Sequence, residues 1–267
     1  MPFMQFWNSL KQFRVIAGIY IKKQMTYRLN FITPYIFRVF QLVGSIVVWK
    51  ALFKSQDMIN GYTFEEMISY LLFAQFILLI FYPSHMFSLQ ELVRKGTLSA
   101  YLLRPNPYML NSWSEFFGVK SIHLMFFTLL FFFASFFGGV DQLIGLKQIG
   151  IISLSFTLSF FFGFLISTFA FHIIEMWPIK NLFMAGMAIL GGTIVPLDLL
   201  PDYISSWAPY TPFAYFSYVN VKVLQGSLSN ELLTIHLWNL IFQNLLFWIL
   251  ASFSFSKGLK RYEAVGC

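Results

Sequence analysis

Six runs of mainly apolar residues constrain this chain more than any other feature: Phe31–Phe53, Met67–Phe87, Phe116–Phe137, Ile149–Ile174, Ile179–Val195 and Leu233–Phe255. An α-helix rises 1.5 Å per residue, so about 20 apolar residues cross the roughly 30 Å of hydrocarbon in a bilayer. Inside lipid every backbone N–H and C=O needs a partner, and a helix supplies it from its own segment. The predicted fold is an all-α integral membrane protein of six transmembrane helices, forming a single transmembrane domain over residues 1–267. Charged residues make up 11% of the chain, against about 25% in soluble domains. No charged stretch is large enough for a second, water-soluble domain.

Lys and Arg in short loops mark the cytoplasmic side of a membrane protein. With the N-terminus inside, twelve of the 18 Lys and Arg fall in inner segments, and only Lys50, Lys54, Lys147 and Lys222 fall in outer loops. The remaining two, Arg38 and Lys120, lie in or beside spans. Both termini are therefore expected in the cytoplasm, with the net charge of +7 reflecting topology and contact with anionic membrane lipids. No recognition module accompanies the basic residues, so no nucleic-acid partner is implied. The N-terminus lacks a short apolar core followed by a small-residue cleavage site, and the first span is expected to act as its own insertion signal.

Within residues 1–30, Phe3, Phe6, Trp7, Leu10, Phe13, Ala17, Tyr20 and Ile21 recur at three- and four-residue steps, while Lys11, Arg14, Lys22 and Lys23 lie elsewhere on the helix. This pattern predicts an amphipathic helix in the inner membrane interface, burial against a partner being the alternative. In the fourth span Ser155, Ser159, Gly163 and Ser167 form a ridge of small side chains, at which helices in lipid approach closely. The ridge suits packing within the chain or a subunit interface. Ala185, Ala188 and Gly192 give the fifth span a similar spacing, and the two helices are expected to pack on each other.

The fifth run ends in Gly191-Gly192 and is followed by Pro196, Pro201, Pro209 and Pro212 among aromatic residues. Helix breakers at membrane depth are tolerated where protein buries the freed backbone groups or a wet cavity meets them. Residues 196–232 are thus expected to form a half-entering hairpin and loop. Between the second and third spans, residues 88–113 read SLQELVRKGTLSAYLLRPNPYMLNSW. Gly96 can end one helical segment and Thr97 can cap the next, and Pro105 stops that second segment. The result is a short helix near Leu98–Leu103 between Arg94-Lys95 and Arg104. Leu98, Tyr101, Leu102 and Leu103 give this turn an apolar patch suited equally to a partner surface or to the membrane interface.

The order of these elements resembles the ABC-2 class of ATP-binding-cassette exporter permeases, in particular a bacterial subgroup of about this length. Three motifs carry the resemblance: Glu91 to Pro105, the run from Gly191 to Pro201 with Thr211-Pro212-Phe213 beyond it, and the tail Lys257 to Glu263. The resemblance implies a transport subunit in the bacterial cytoplasmic membrane. It implies ABC ATPase subunits as partners, and a second copy or a related permease to form a dimer with the path at the interface. It implies a coupling helix docking on the ATPase through Glu91, Arg94, Lys95, Gly96, Leu98, Tyr101 and Arg104. It also implies an outer re-entrant hairpin over about Leu197–Lys222, with Gly191, Gly192, Pro196, Pro201, Pro209 and Pro212 at the outer gate. The sequence has no G-x-x-x-x-G-K-[ST] run to cradle nucleotide phosphates. No cofactor is therefore expected on this chain, ATP and Mg belonging to the partner ATPase.

Ionisable groups inside spans are expensive, about 2.5–3.5 kcal/mol at the centre on insertion scales, and so mark candidates for function. Arg38 lies about two helical turns into the first span, facing a wet cavity or a lipid phosphate, or snorkelling to the inner headgroups. His123 sits in the third span near Glu115 and Lys120, as a buried hydrogen-bonded imidazole or as a proton relay. His172 and Glu175 are three apart and could share a helical face, and two ligands are too few for a metal site. A function of another class, an intramembrane acyl or isoprenoid transferase, would use His123 or His172 with Glu175 as its base. An ion-driven carrier acting alone would show paired broken helices, and only one break is evident.

Overall fold

The computed structural model describes residues 2–136 and 145–262, with side chains described for residues 9–129 and 145–262. Its named elements are all helical: α1 (Pro2–Thr26), α2 (Arg28–Leu52), α3 (Phe64–Phe81), α4 (Ser88–Arg94), α5 (Leu98–Leu102), α6 (Tyr108–Phe136), α7 (Leu146–Ser167), α8 (Trp177–Leu190), α9 (Asp202–Ser205), α10 (Tyr218–Leu224) and α11 (Asn230–Leu259). Short 3₁₀ turns join several of them. Among the described residues four helical stretches are long and apolar enough to cross a membrane: α2, α3, α7 with its extension to Phe171, and α11. The third and fifth apolar runs form α6 and α8. Phe137, the expected end of the third span, lies outside the described residues, as do the side chains of Phe3, Phe6 and Trp7.

The element ends follow from backbone chemistry. Thr63 and Glu66 form a capping box that starts α3: the Thr63 hydroxyl accepts from Glu66 N–H at 3.3 Å, and the Glu66 carboxylate accepts from Thr63 N–H at 2.9 Å. The second run is not helical to Phe87 as expected. Pro83 has no N–H and forces Tyr82 into an extended conformation (ψ 123°), so α3 stops at Phe81 and a 3₁₀ turn at Ser84–Phe87 follows. The fifth run is likewise shorter than expected. With 14 residues, α8 is about 21 Å long, because the chain turns at Gly191-Gly192 rather than continuing to Val195.

In the loop after α3, Gly96 (φ 67°) closes α4 in a Schellman motif: Thr97 N–H bonds Leu92 C=O at 3.0 Å and Gly96 N–H bonds Val93 C=O at 3.1 Å. Thr97 does not cap α5 with its side chain as expected. Its backbone is already helical, and Ser99 Oγ instead donates to Gly96 C=O at 3.0 Å.

Helix α7 is the spine of the core. Ser155, Ser159, Gly163 and Ser167 are all buried, and a Cβ on Gly163 would lie 2.6 Å from Pro83 Cβ and 2.7 Å from His85 Cε1. The small-residue ridge thus receives the turn after α3, within the chain. It does not meet α8 in the expected way, since Ala185 and Ala188 are exposed. Along its other side α7 is tied to α11, where Thr157 Oγ1 donates to Asn244 Oδ1 at 2.7 Å and the hydroxyls of Thr168 and Ser254 lie 2.6 Å apart. Helix α1 packs along α6. Ala17 is buried, Phe13 meets Phe117 at 5.4 Å between ring centroids, and a Cβ on Gly118 would come within 2.6 Å of the Ala17 carbonyl.

Candidate functional site

The broken segment after α8 is the first place where polar chemistry collects. Gly192 adopts φ 66°, a left-handed conformation that suits glycine. Four consecutive carbonyls then need partners, and each finds one on another element. Gly191 C=O accepts from Tyr218 N–H at 3.1 Å, Gly192 C=O from the Tyr70 hydroxyl, Thr193 C=O from Gln75 Nε2 at 3.5 Å and Ile194 C=O from Trp49 Nε1 at 3.4 Å. Pro196 is buried, Pro209 and Pro212 are half-buried and Pro201 is exposed. Beyond them Asp198 accepts from the Tyr62 hydroxyl at 2.7 Å and pairs with Lys222 at 2.8 Å. Asn60 Nδ2 donates to the Asp198 carbonyl at 2.9 Å. Burial, and then the Asp198 carboxylate, push the Tyr62 phenol well above its ordinary range. Trp49, Tyr70, Gln75 and this Asp198 clamp are absent from the sequence-based candidates. Their one signal is that Tyr70 and Gln75 are polar interruptions of an apolar run.

The opposite end carries the loop of α4 and α5. Leu98 is fully buried, which corrects its assignment to an exposed docking patch: it roots α5 in the core. Tyr101 is half-buried, edge-on to Tyr108 at 6.1 Å and covered by the Arg104 guanidinium at 4.0 Å. Tyr108 in turn stacks on Phe255 of α11 at 5.4 Å. Glu91 and Lys95 form an exposed ion pair at 2.6 Å, and the ammonium holds the Glu91 carboxyl below its ordinary range. Arg94 is exposed and Gly96 forms the Schellman turn. The apolar surface left to solvent is Leu102 and, above all, Leu103, which is 88% exposed. The tail comes to the same place, with the Tyr262 hydroxyl 3.4 Å from Ser99 Oγ. Gly258 leaves room for Phe171, and Glu263 lies outside the described residues.

A residue that the sequence reading passed over joins this loop to the core. His85 is buried in the turn after α3, with Nε2 2.9 Å from Phe160 C=O, its ring stacked on Phe160 at 4.9 Å and edge-on to Phe116 at 4.7 Å. Pro83, which breaks the helix before it, is the signal in the sequence.

Between these two ends a cavity of about 620 Å³ lies among α2, α3, α6 and the start of α8. Arg38, Lys120, His123 and Lys180 line it together with apolar residues such as Pro34, Phe37 and Met184. Arg38 Nη1 donates to Gln41 Oε1 at 2.8 Å and to Gln75 Oε1 at 3.2 Å. Lys120 is buried and donates to Leu79 C=O at 2.7 Å. That carbonyl lacks a helical partner because the residue four positions on is Pro83. His123 Nδ1 is 2.8 Å from the Tyr35 hydroxyl, with the ring against Phe31 and Tyr35, so it is buried and hydrogen-bonded.

His172 and Glu175 do not line this cavity. Both are exposed in the turn before α8, and Glu175 is outside any helix, so they do not share a helical face. The cavity therefore gathers cationic and neutral donors without placing a carboxylate beside a histidine.

A family model described as ABC-2 family transporter protein matches residues 39–266. No curated protein matches the chain.

Proposed function

This chain belongs to the ABC-2 family of transporter proteins, and on that premise we propose that it is the permease subunit of an ATP-driven exporter in the bacterial cytoplasmic membrane. ATP is bound and hydrolysed by a separate ABC ATPase, and the loop of α4 and α5 is the coupling element on which that ATPase presses. Two permease chains form the working dimer, with six spans each and the path between them. The segment from Gly191 through α10 is a re-entrant outer gate, and the termini are cytoplasmic.

The observation that carries this reading is an exposed apolar tip on a rigid root. Leu102 and Leu103 stand out beside the exposed Arg104, while Leu98, His85 and Tyr108 fix the same loop to α7 and α11. A push on the tip is thus delivered to α7 through the contact of Gly163 with Pro83 and His85, and not absorbed by a flexible link. Packed cores respond to such a push by switching between discrete arrangements. Along the middle of α3, Tyr70 and Gln75 hold the carbonyls of the broken segment, so a shift of α3 changes the outer gate.

The test is co-purification of the tagged full-length chain followed by ATPase assay. The expected partner carries a nucleotide-binding loop, and Leu103→Asp should abolish most of the stimulated hydrolysis while leaving the thermal midpoint of the permease unchanged. Hydrolysis indifferent to Leu103→Asp, or function with no such partner, contradicts the proposal.

A further inference from the structure

We propose that the cavity bounded by Arg38, Lys120 and Lys180 binds the phosphate of an anionic amphiphile whose apolar tail leaves along α2. Three cations from three different helices line this cavity, and no Asp or Glu is among the described residues lining it. Glu115 lies in a separate, smaller cleft beyond Ser84 and Val119. Cations withdrawn from water require an anionic or strongly polar partner, and the partners that Arg38 and Lys120 have are neutral amide and carbonyl oxygens.

The orientation of Arg38 separates a binding role from simple snorkelling. Its Nη1 is fixed to Gln75, a buried residue of α3, so the guanidinium is turned into the bundle and not toward the headgroup layer below. Both of its bonds to glutamine use Nη1, and the guanidinium fork has further N–H groups on Nη2 and Nε, the geometry that matches a phosphate or carboxylate in two parallel bonds. Lys120 is held by a carbonyl that Pro83 leaves free, which fixes the ammonium at the cavity wall. Lys180 is exposed at the start of α8, where it can meet an incoming headgroup first.

The rest of the lining selects a ligand with a tail. Phe37 and Met184 are large, apolar and exposed at the cavity edge, and Phe40 continues the exposed apolar face of α2. A free inorganic anion would gain nothing from them. That such an amphiphile is the transported cargo rests on the permease reading above; that it binds here does not.

The experiment is native mass spectrometry of the full-length chain in a neutral detergent, titrated with dioctanoyl phosphatidylglycerol, dioctanoyl phosphatidylcholine or inorganic phosphate. Phosphatidylglycerol should bind about tenfold or more tightly than either alternative, the scale of one charge-assisted hydrogen bond. Arg38→Gln and Lys180→Gln should each bring the two lipids to within about threefold of one another. Lys180 is exposed, so its variant keeps the test valid even if the Arg38 variant folds poorly. Equal binding of the two lipids, or a preference unchanged in Lys180→Gln, overturns the proposal. Inorganic phosphate binding as tightly as phosphatidylglycerol overturns it in favour of a free-anion site. Because no ATPase is present, failure here leaves the permease reading standing, and failure of the co-purification leaves this one standing.

Discussion

Adding one methyl group to Gly192 should destabilise the protein by more than its size suggests, and three glycines allow the causes to be separated. Gly192 has φ 66°, and a left-handed backbone costs an L-residue about 1–2 kcal/mol. Its Cβ would also lie 2.8 Å from Tyr218 Cβ and 2.9 Å from the Tyr70 hydroxyl, well inside the normal contact of about 3.5–4.0 Å. Tyr218 Cβ is fixed to the backbone of α10 and cannot rotate away, so an overpacking cost of about 1–3 kcal/mol is added. Gly192→Ala is therefore expected to lose about 2–5 kcal/mol.

Gly61 has φ 86° and nothing lies within 4 Å of the place a methyl group would occupy, so Gly61→Ala should carry only the backbone part, about 1–2 kcal/mol. Gly44, in α2, has open space and no positive φ, and Gly44→Ala should be neutral or stabilising by up to about 1 kcal/mol. Thermal unfolding in detergent, followed by tryptophan fluorescence, reads the order directly. At about 2–4 °C per kcal/mol for a chain of this size, the Gly192 variant should fall by on the order of 10 °C. A Gly192 variant no less stable than the Gly61 variant refutes the argument that the broken segment is clamped against α3 and α10.

The Asp198–Lys222 pair is partly shielded, so a double-mutant cycle of Asp198→Asn and Lys222→Met should give a coupling of about 1–2 kcal/mol, between exposed and buried pairs; additive losses would show that the clamp contributes nothing. In the loop, Leu98→Ala should lose about 2–5 kcal/mol because the side chain is fully buried. Leu103→Ala should change stability by less than about 0.5 kcal/mol, and equal losses in the two variants would mean that the root and tip of the loop are wrongly assigned.

Much of the helix placement was legible because membrane solvent leaves few choices: apolar runs of the right length become helices, and Gly191-Gly192 marks a real stop, whereas the stop at Pro83 falls inside a run expected to stay helical to Phe87. What the sequence could not supply was the partner of each freed group. Leu79 C=O is released by a proline four residues on and taken by Lys120 from α6, and the carbonyls after α8 are taken by Trp49, Tyr70 and Gln75. Such pairings join residues far apart in the chain, and periodicity carries no record of them. Leu98 misled for a related reason, since a helix as short as α5 has no periodic face to say which side is buried. Arg38 and His123 were recognisable singly as ionisable groups at depth, yet the cavity they share with Lys120 and Lys180 exists only once four helices have packed.

The central claim is that the α4–α5 loop and the proline-rich segment lie on opposite sides of the membrane, the loop facing the cytoplasm. Replacing Cys267, the single cysteine, by Ser allows one thiol to be placed at Leu103 or at Tyr203, which is 74% exposed beside Pro201. Labelling of whole cells with a membrane-impermeant maleimide should modify the thiol at position 203 at once, and the thiol at position 103 only after the membrane is permeabilised. Labelling of position 103 in intact cells would contradict the account.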